Sequence, residues 1–143
     1  MTASDPPPST ARAPFPNRVV AALLRSPLRG LLAGSTVLIR YEGRRSGATF
    51  TTPTQYARCG DALVIAVARP ESKTWWRNFR AEHPLDVLID GTWTPMTGRA
   101  LDVDAEPDEA GPLLDAYLAR FPKATKALSS TDGPTIVVRC RAR

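Results

Sequence analysis

The chain has 143 residues, of which 43% are hydrophobic and 23% charged, a soluble composition long enough for one domain with an ordinary core. Two cysteines without a CxxC neighbour give neither a disulfide framework nor a zinc site, and read as packed thiols of a cytoplasmic protein. A formal net charge of +5 favours an anionic partner such as a phosphorylated cofactor or an anionic membrane, whereas nucleic acid is disfavoured because the basic residues are dispersed and match no recognition motif.

Met1 to Pro16 is rich in proline, with Pro6-Pro7-Pro8 and Pro14, and cannot bury enough apolar surface to order itself. It reads as a disordered leader without the apolar core of a signal peptide. From Asn17 the pattern turns helical, with Val20, Leu23, Leu24, Leu28 and Leu31 at helical spacing and Arg18, Arg25 and Arg29 on another face. Pro27 breaks this helix near Ser26. Residues 17–34 then either pack on the body of the protein, the preferred reading, or make a peripheral contact with an anionic bilayer. Residues 17–143 form one domain on this reading.

A short apolar strand, Val37-Leu38-Ile39, leads to Gly43-Arg44-Arg45-Ser46-Gly47, and a strand over Ala48 to Arg58 carries the chain back. Two glycines bracketing two guanidinium groups and a hydroxyl can offer side-chain cations and bare backbone N–H groups to one anion. The other reading is a basic hairpin turn with solvated arginines. Cys59-Gly60-Asp61 marks a hairpin into the buried strand Ala62 to Ala68. Thr74 to Glu82 reads as a short helix that Pro84 stops, with His83 in a loop. Asp86 to Asp90 and Trp93 to Val103 pair about Gly91. Asp108 to Arg120 is an amphipathic helix with Leu113, Leu114, Tyr117 and Leu118 inward. Pro134 to Arg139 closes the sheet, and the short basic tail Arg139-Cys140-Arg141-Ala142-Arg143 reads as a solvated end rather than a grip on nucleic acid. Six short strands with helices between them describe an α+β protein built on a small antiparallel barrel.

The inventory of chemistry is thin. A single histidine excludes a histidine triad and makes a multi-histidine metal site improbable. Asp102, Asp104, Glu106, Asp108 and Glu109 suit an acidic helix start better than a metal cage. Such a chain can still be an enzyme if a cofactor carries the chemistry. Lys73-Thr74-Trp75-Trp76-Arg77-Asn78 places two indoles about 100° apart on a helix, so that one can be core while the other faces a groove. The alternative is that both are core.

GRRSG followed by TTPTQY, the GDALVIAVA strand, and KTWWRNFRAEHP ahead of a strand together resemble the deazaflavin-dependent nitroreductase family of flavin and deazaflavin oxidoreductases. The resemblance runs from about Leu23 to Val138. It implies a six-stranded antiparallel split β-barrel of the FMN-binding split-barrel type with flanking helices. It also implies hydride transfer from reduced coenzyme F420 to an unsaturated or quinone-like small molecule, with FMN as the alternative cofactor and a homodimer among the possible assemblies. The reading from another class is a non-catalytic binding module that sequesters a cofactor or sits on a membrane through Arg18, Arg25 and Arg29. On the matching positions, Arg44, Arg45 and Ser46 would hold the phosphate and tail, Thr52 and Pro53 would line the ring site, and Trp75, Trp76 and Asn78 would shape the pocket wall. Lys73 joins them as a polar neighbour, and Tyr56 is the protein group placed to finish a proton transfer. Two departures stand out. Ala68-Arg69-Pro70-Glu71 replaces the family's Ser-Lys-Gly-Gly loop, leaving Arg69 to supply the cation. Phe121 to Ala127 lacks the tyrosines of nitro-reducing members.

Overall fold

The computed structural model describes residues 36–129 and 133–143; the leader at 1–16 and the expected helix at 17–34 lie outside them. Seven strands form one sheet, rather than six: β1 (Thr36–Glu42), β2 (Thr49–Gln55), β3 (Ala57–Cys59), β4 (Ala62–Val67), β5 (His83–Ile89), β6 (Thr92–Asp102) and β7 (Ile136–Ala142). Two α-helices, α1 (Pro107–Arg120) and α2 (Ala124–Ser129), follow β6. The strand order is β2-β1-β5-β6-β7-β4-β3. The extra strand arises at Tyr56, where the expected single strand over 48–58 is divided. Its first part stands beside β1, while Ala57 pairs with Val64 on β4.

The described chain divides into two compact units. One ends at Thr54 and takes in Leu85–Thr94; the other comprises Gln55–Pro84 and Pro95–Arg143. In the first, β1 and β5 run antiparallel with Leu38 opposite Leu88 and Arg40 opposite Asp86. Val37, Leu38 and Ile39 are all buried, so β1 is covered on both faces and its sequence shows no polar alternation. The Arg40 guanidinium lies 4.1 Å from the centre of the Trp93 ring and 3.3 Å from an Asp86 oxygen. A ring face and a carboxylate therefore hold one partly exposed cation.

In the second unit β7 lies between β4 and β6, with Ile65 opposite Val138 and Ala100 opposite Val138 from the other side. Helix α1 covers this sheet. Ala110, Leu113 and Tyr117 pack with Ala57, Val64, Leu101 and Val137, while Leu114 and Leu118 are partly buried at the margin. The acidic run before α1 is structural. Asp102 accepts the Asp104 amide at 2.9 Å, Glu106 pairs with Arg99 at 3.4 Å, and Glu109 pairs with Arg139 at 2.6 Å. Asp108 and Glu109 sit in the first turn, where carboxylates complement the helix dipole. Arg139 and Cys140 are buried within β7, so the supposed solvated tail begins only at Arg141. Among the described residues no helix is long and apolar enough to cross a membrane.

The cysteines differ. Cys59 is half-buried and its thiol faces the Pro112 carbonyl at 3.8 Å, whereas Cys140 is fully buried. Burial pushes the Cys140 thiol from an ordinary 9.0 up to about 12, and the Tyr41 phenol from 10.0 up to about 12. Both raised values belong to groups that fold in the protonated form. Their stability contribution is complete below about 9 and is lost as pH rises toward about 12. Alkaline titration of the melting temperature is expected to show a decline beginning near pH 9, and native alkylation is expected to label Cys59 well before Cys140. Equal labelling of the two thiols in the folded protein would contradict this arrangement.

Candidate functional site

The GRRSG segment forms the turn joining β1 and β2. The Gly43 amide donates to the Ala48 carbonyl at 2.8 Å and the Gly47 amide to the Gly43 carbonyl at 2.9 Å, while the Ala48 amide donates to Ser46 Oγ at 3.1 Å. Three N–H groups that the sequence offered to a ligand are thus committed to the turn. Gly47 has a φ of 72°, favoured by glycine. Gly43 meets a different constraint, since a Cβ there would lie 2.9 Å from the Phe50 ring. That ring stacks on Tyr41 with centroids 5.7 Å apart. A rigid closed turn results, and it carries Arg44, Arg45 and Ser46 on its exposed tip.

On β2, neighbouring residues face opposite ways. Thr52 and Pro53 therefore present their side chains to opposite faces, Thr52 half-buried and Pro53 exposed. Thr52 shares a hydrogen bond with the Tyr41 hydroxyl; burial raises that phenol and the Thr52 bond acts in the opposite sense. Thr54 points to the same face as Thr52, and its hydroxyl is buried with no hydrogen-bond partner. A buried orphan hydroxyl has a cost that a bound polar group would remove. The sequence reading passed over Thr54 because a threonine in a Thr-rich strand looks ordinary, although the alternation with Thr52 was there to be read.

The other candidates belong to the second unit. Tyr56, at the junction between β2 and β3, is only 6% exposed. The guanidinium carbons of Arg120 and Arg58 lie 4.9 and 5.8 Å from its ring centre. Trp75 to Phe79 is a 3₁₀ turn, not an α-helix, so successive side chains are about 120° apart. The Asn78 side chain donates to the Trp75 carbonyl at 2.9 Å, which satisfies a carbonyl of that tight turn. Trp76 is buried at 7% exposure and its indole N–H donates to the Pro70 carbonyl at 2.8 Å. Trp75 is half-buried and meets the Phe79 ring edge-on at 6.1 Å. Of the two indoles, Trp76 is core. Lys73 is half-buried and Arg69 exposed, flanking a second 3₁₀ turn at Pro70–Ser72. His83 opens β5 rather than lying in a loop, half-buried with its ring 5.5 Å from that of Phe79.

The candidate residues therefore fall into two groups. Arg44, Arg45, Ser46, Thr52 and Pro53 lie on the first unit, and Tyr56, Arg69, Lys73, Trp75, Trp76 and Asn78 on the second. Each group carries at least one exposed cation, Arg44 and Arg45 on the first unit and Arg69 on the second. No cluster of histidine, cysteine and carboxylate side chains suited to a metal ion occurs among the described residues.

Comparison with known proteins places this geometry. A solved F420-H2 dependent reductase, FDR-A, shares the fold with a TM-score of 0.61 at 17% identity, covering 76% of this chain and 95% of its own. A chain described as a domain-swapped dimer gives 0.58 at 18% identity, covering 87% and 95%. HutZ, the heme storage protein from Vibrio cholerae, gives 0.57 at 10% identity, covering 84% and 90%. At these identities the likeness is one of fold. No curated protein matches the sequence. The family described as F420H(2)-dependent quinone reductase matches residues 24–140, most of the chain, and the protein belongs to that family.

Proposed function

We propose that this protein binds coenzyme F420 and uses it to reduce a quinone-like or otherwise unsaturated small molecule. The observation that carries the reading is the closed turn at 43–48, in which the Gly43, Gly47 and Ala48 amides are committed while Arg44 and Arg45 stand exposed at its tip. That donor set fits an extended anion bearing a phosphate and carboxylates, because guanidinium forks bind both by paired, charge-assisted hydrogen bonds. The orphan hydroxyl of Thr54 supports the fit. Bound and reduced, F420 supplies a hydride equivalent, and a quinone that accepts it needs one further proton to become a quinol.

The chain's own part is binding, orientation and delivery of that proton. On the first unit Arg44, Arg45 and Ser46 hold the anionic end; on the second, taken by itself, Arg69 and Lys73 are the candidate cations. Thr52 and Thr54 offer hydroxyls on one strand face. On the second unit Trp75 and Asn78 are the candidates for a wall beside the ring, and on the first Pro53 keeps its place as a candidate for the ring site. Tyr56 is the proton donor of this reading, its ring fixed by two guanidinium groups and its hydroxyl replenished from solvent.

A split barrel belongs to the same proposal, supported by the fold shared with a solved F420-H2 dependent reductase. A homodimer is the proposed assembly, supported by a structural relative described as a domain-swapped dimer. Cytoplasmic location, with residues 17–34 as a possible peripheral membrane contact, rests on the sequence pattern alone.

The test is turnover. With reduced F420, a quinone is expected to be reduced efficiently and a nitroimidazole poorly, because Phe121, Ala124 and Ala127 replace tyrosine hydroxyls that could orient a nitro group. Failure to oxidise reduced F420 with any quinone would count against the acceptor class. Equal or better turnover with reduced FMN would replace the cofactor.

A further inference from the structure

Arg69 holds its backbone in the left-handed region, φ 52° and ψ 62°, directly before Pro70. Glycine takes that conformation freely; a side chain with a Cβ does not, and a following proline disfavours it further. Such strain persists only where the surroundings enforce it. Here they do. Pro70 is fully buried, and its carbonyl accepts the Trp76 indole N–H at 2.8 Å and the Lys73 amide at 3.2 Å. The Arg69 carbonyl accepts the Ser72 amide and the Ser72 hydroxyl, each at 3.0 Å.

The Arg69 side chain is exposed and makes none of the ion pairs found among the described residues. Glu71, the carboxylate of the same turn, lies instead near Gly133, where an added Cβ would come within 3.3 Å of its Oε2. A turn that needed only this shape would be met without strain by glycine. An arginine in its place is accounted for if the guanidinium is used.

We infer that Trp76 is a positioning residue: its hydrogen bond to Pro70 holds the strained turn that presents Arg69 as a preformed cation for the phosphate or carboxylate groups of the cofactor. Trp76 on this account is not a wall of the ring pocket. The inference rests on the F420 reading above and adds how one part of the grip is built. A cation whose backbone is fixed beforehand loses less freedom on binding, which favours affinity without a new contact.

The full chain is compared with Trp76→Phe, Arg69→Gly and Arg69→Lys in two measurements. The first is amide hydrogen exchange without cofactor. Trp76→Phe keeps an apolar ring but removes the donor, and is expected to speed exchange at the Ser72 and Lys73 amides. The second is equilibrium binding of F420 and of the deazaflavin nucleoside that lacks phosphate and glutamates. Trp76→Phe and Arg69→Gly are each expected to weaken F420 binding by about three- to tenfold and to leave nucleoside binding unchanged, with Arg69→Lys intermediate. Arg69→Gly, relieved of strain, is expected to fold at least as stably as the parent. Equal weakening of both ligands by Trp76→Phe would mean that the indole touches the ring, and would overturn the inference. Unchanged F420 affinity in Arg69→Gly would overturn it too, while parent binding left the cofactor assignment standing. No binding of F420 by the parent chain, even with protected Ser72 and Lys73 amides, would remove the cofactor reading and this inference with it.

Discussion

Arg45→Gln is expected to weaken F420 binding by about ten- to a hundred-fold, while stability changes by no more than about 0.5 kcal/mol. The first figure follows from losing a charge-assisted contact of about 1.5–3 kcal/mol. The second follows from the construction of the turn. Its closure depends on the amides of Gly43, Gly47 and Ala48, none of which involves the exposed Arg45 side chain. Glutamine keeps hydrogen-bonding capacity and most of the length, so the charge and the fork are what is removed. Raising the salt concentration should narrow the difference between parent and variant, because an exposed ionic contact is screened. Identical F420 affinities for the two proteins would show that this turn is only a solvated hairpin.

Phe79→Ala is expected to have the largest effect on stability, a loss of about 3–5 kcal/mol. Phe79 is fully buried and meets Trp75 and His83 edge-on, with ring centres 6.1 and 5.5 Å away. Removing the ring leaves a cavity beneath a 3₁₀ turn whose short hydrogen-bond ladder has little rigidity of its own. Against a typical total of about 5–15 kcal/mol, such a loss is expected to leave a substantial unfolded fraction under mild denaturant. Urea unfolding followed by fluorescence should show a lower midpoint with an unchanged slope. A change below about 1 kcal/mol would mean that the turn is not anchored through Phe79.

Much of the fold was legible because apolar runs and turn residues coincide along the chain. Leu63 to Val67 is apolar and, apart from the partly buried Ala66, buried, the Gly60-Asp61 hairpin falls where its residues suggest, and Leu113 and Tyr117 face the sheet. The misreadings have local causes. Ala48 to Arg58 carries no glycine, and its one proline, Pro53, lies within β2, so nothing at Tyr56 itself marks the division into two strands with different neighbours. Trp75 to Phe79 was read with α-helical spacing, but the Asn78 side chain and the i→i+3 bonds select the tighter 3₁₀ form. His83 precedes a proline, a loop signal that pairing within β5 overrides.

The site was legible in kind but not in detail. Two arginines between two glycines announced an exposed cationic turn. That the turn takes up the amides of Gly43, Gly47 and Ala48 depends on the backbone conformation of residues 43–48, which no spacing reveals. Adjacent tryptophans suggested one core ring and one facing ring, and the hydrogen bond from Trp76 to Pro70 decides which is core. The role of Arg69 lies in a backbone angle, to which composition is blind.

The most direct measurement is a pair of equilibrium titrations of the full chain, one with F420 and one with FMN, followed through tryptophan fluorescence at two salt concentrations. The account predicts saturable binding of F420 that weakens with added salt, and weaker binding of FMN, which has a phosphate but no glutamate tail. Tighter binding of FMN, or no binding of F420 at either salt concentration, would contradict it.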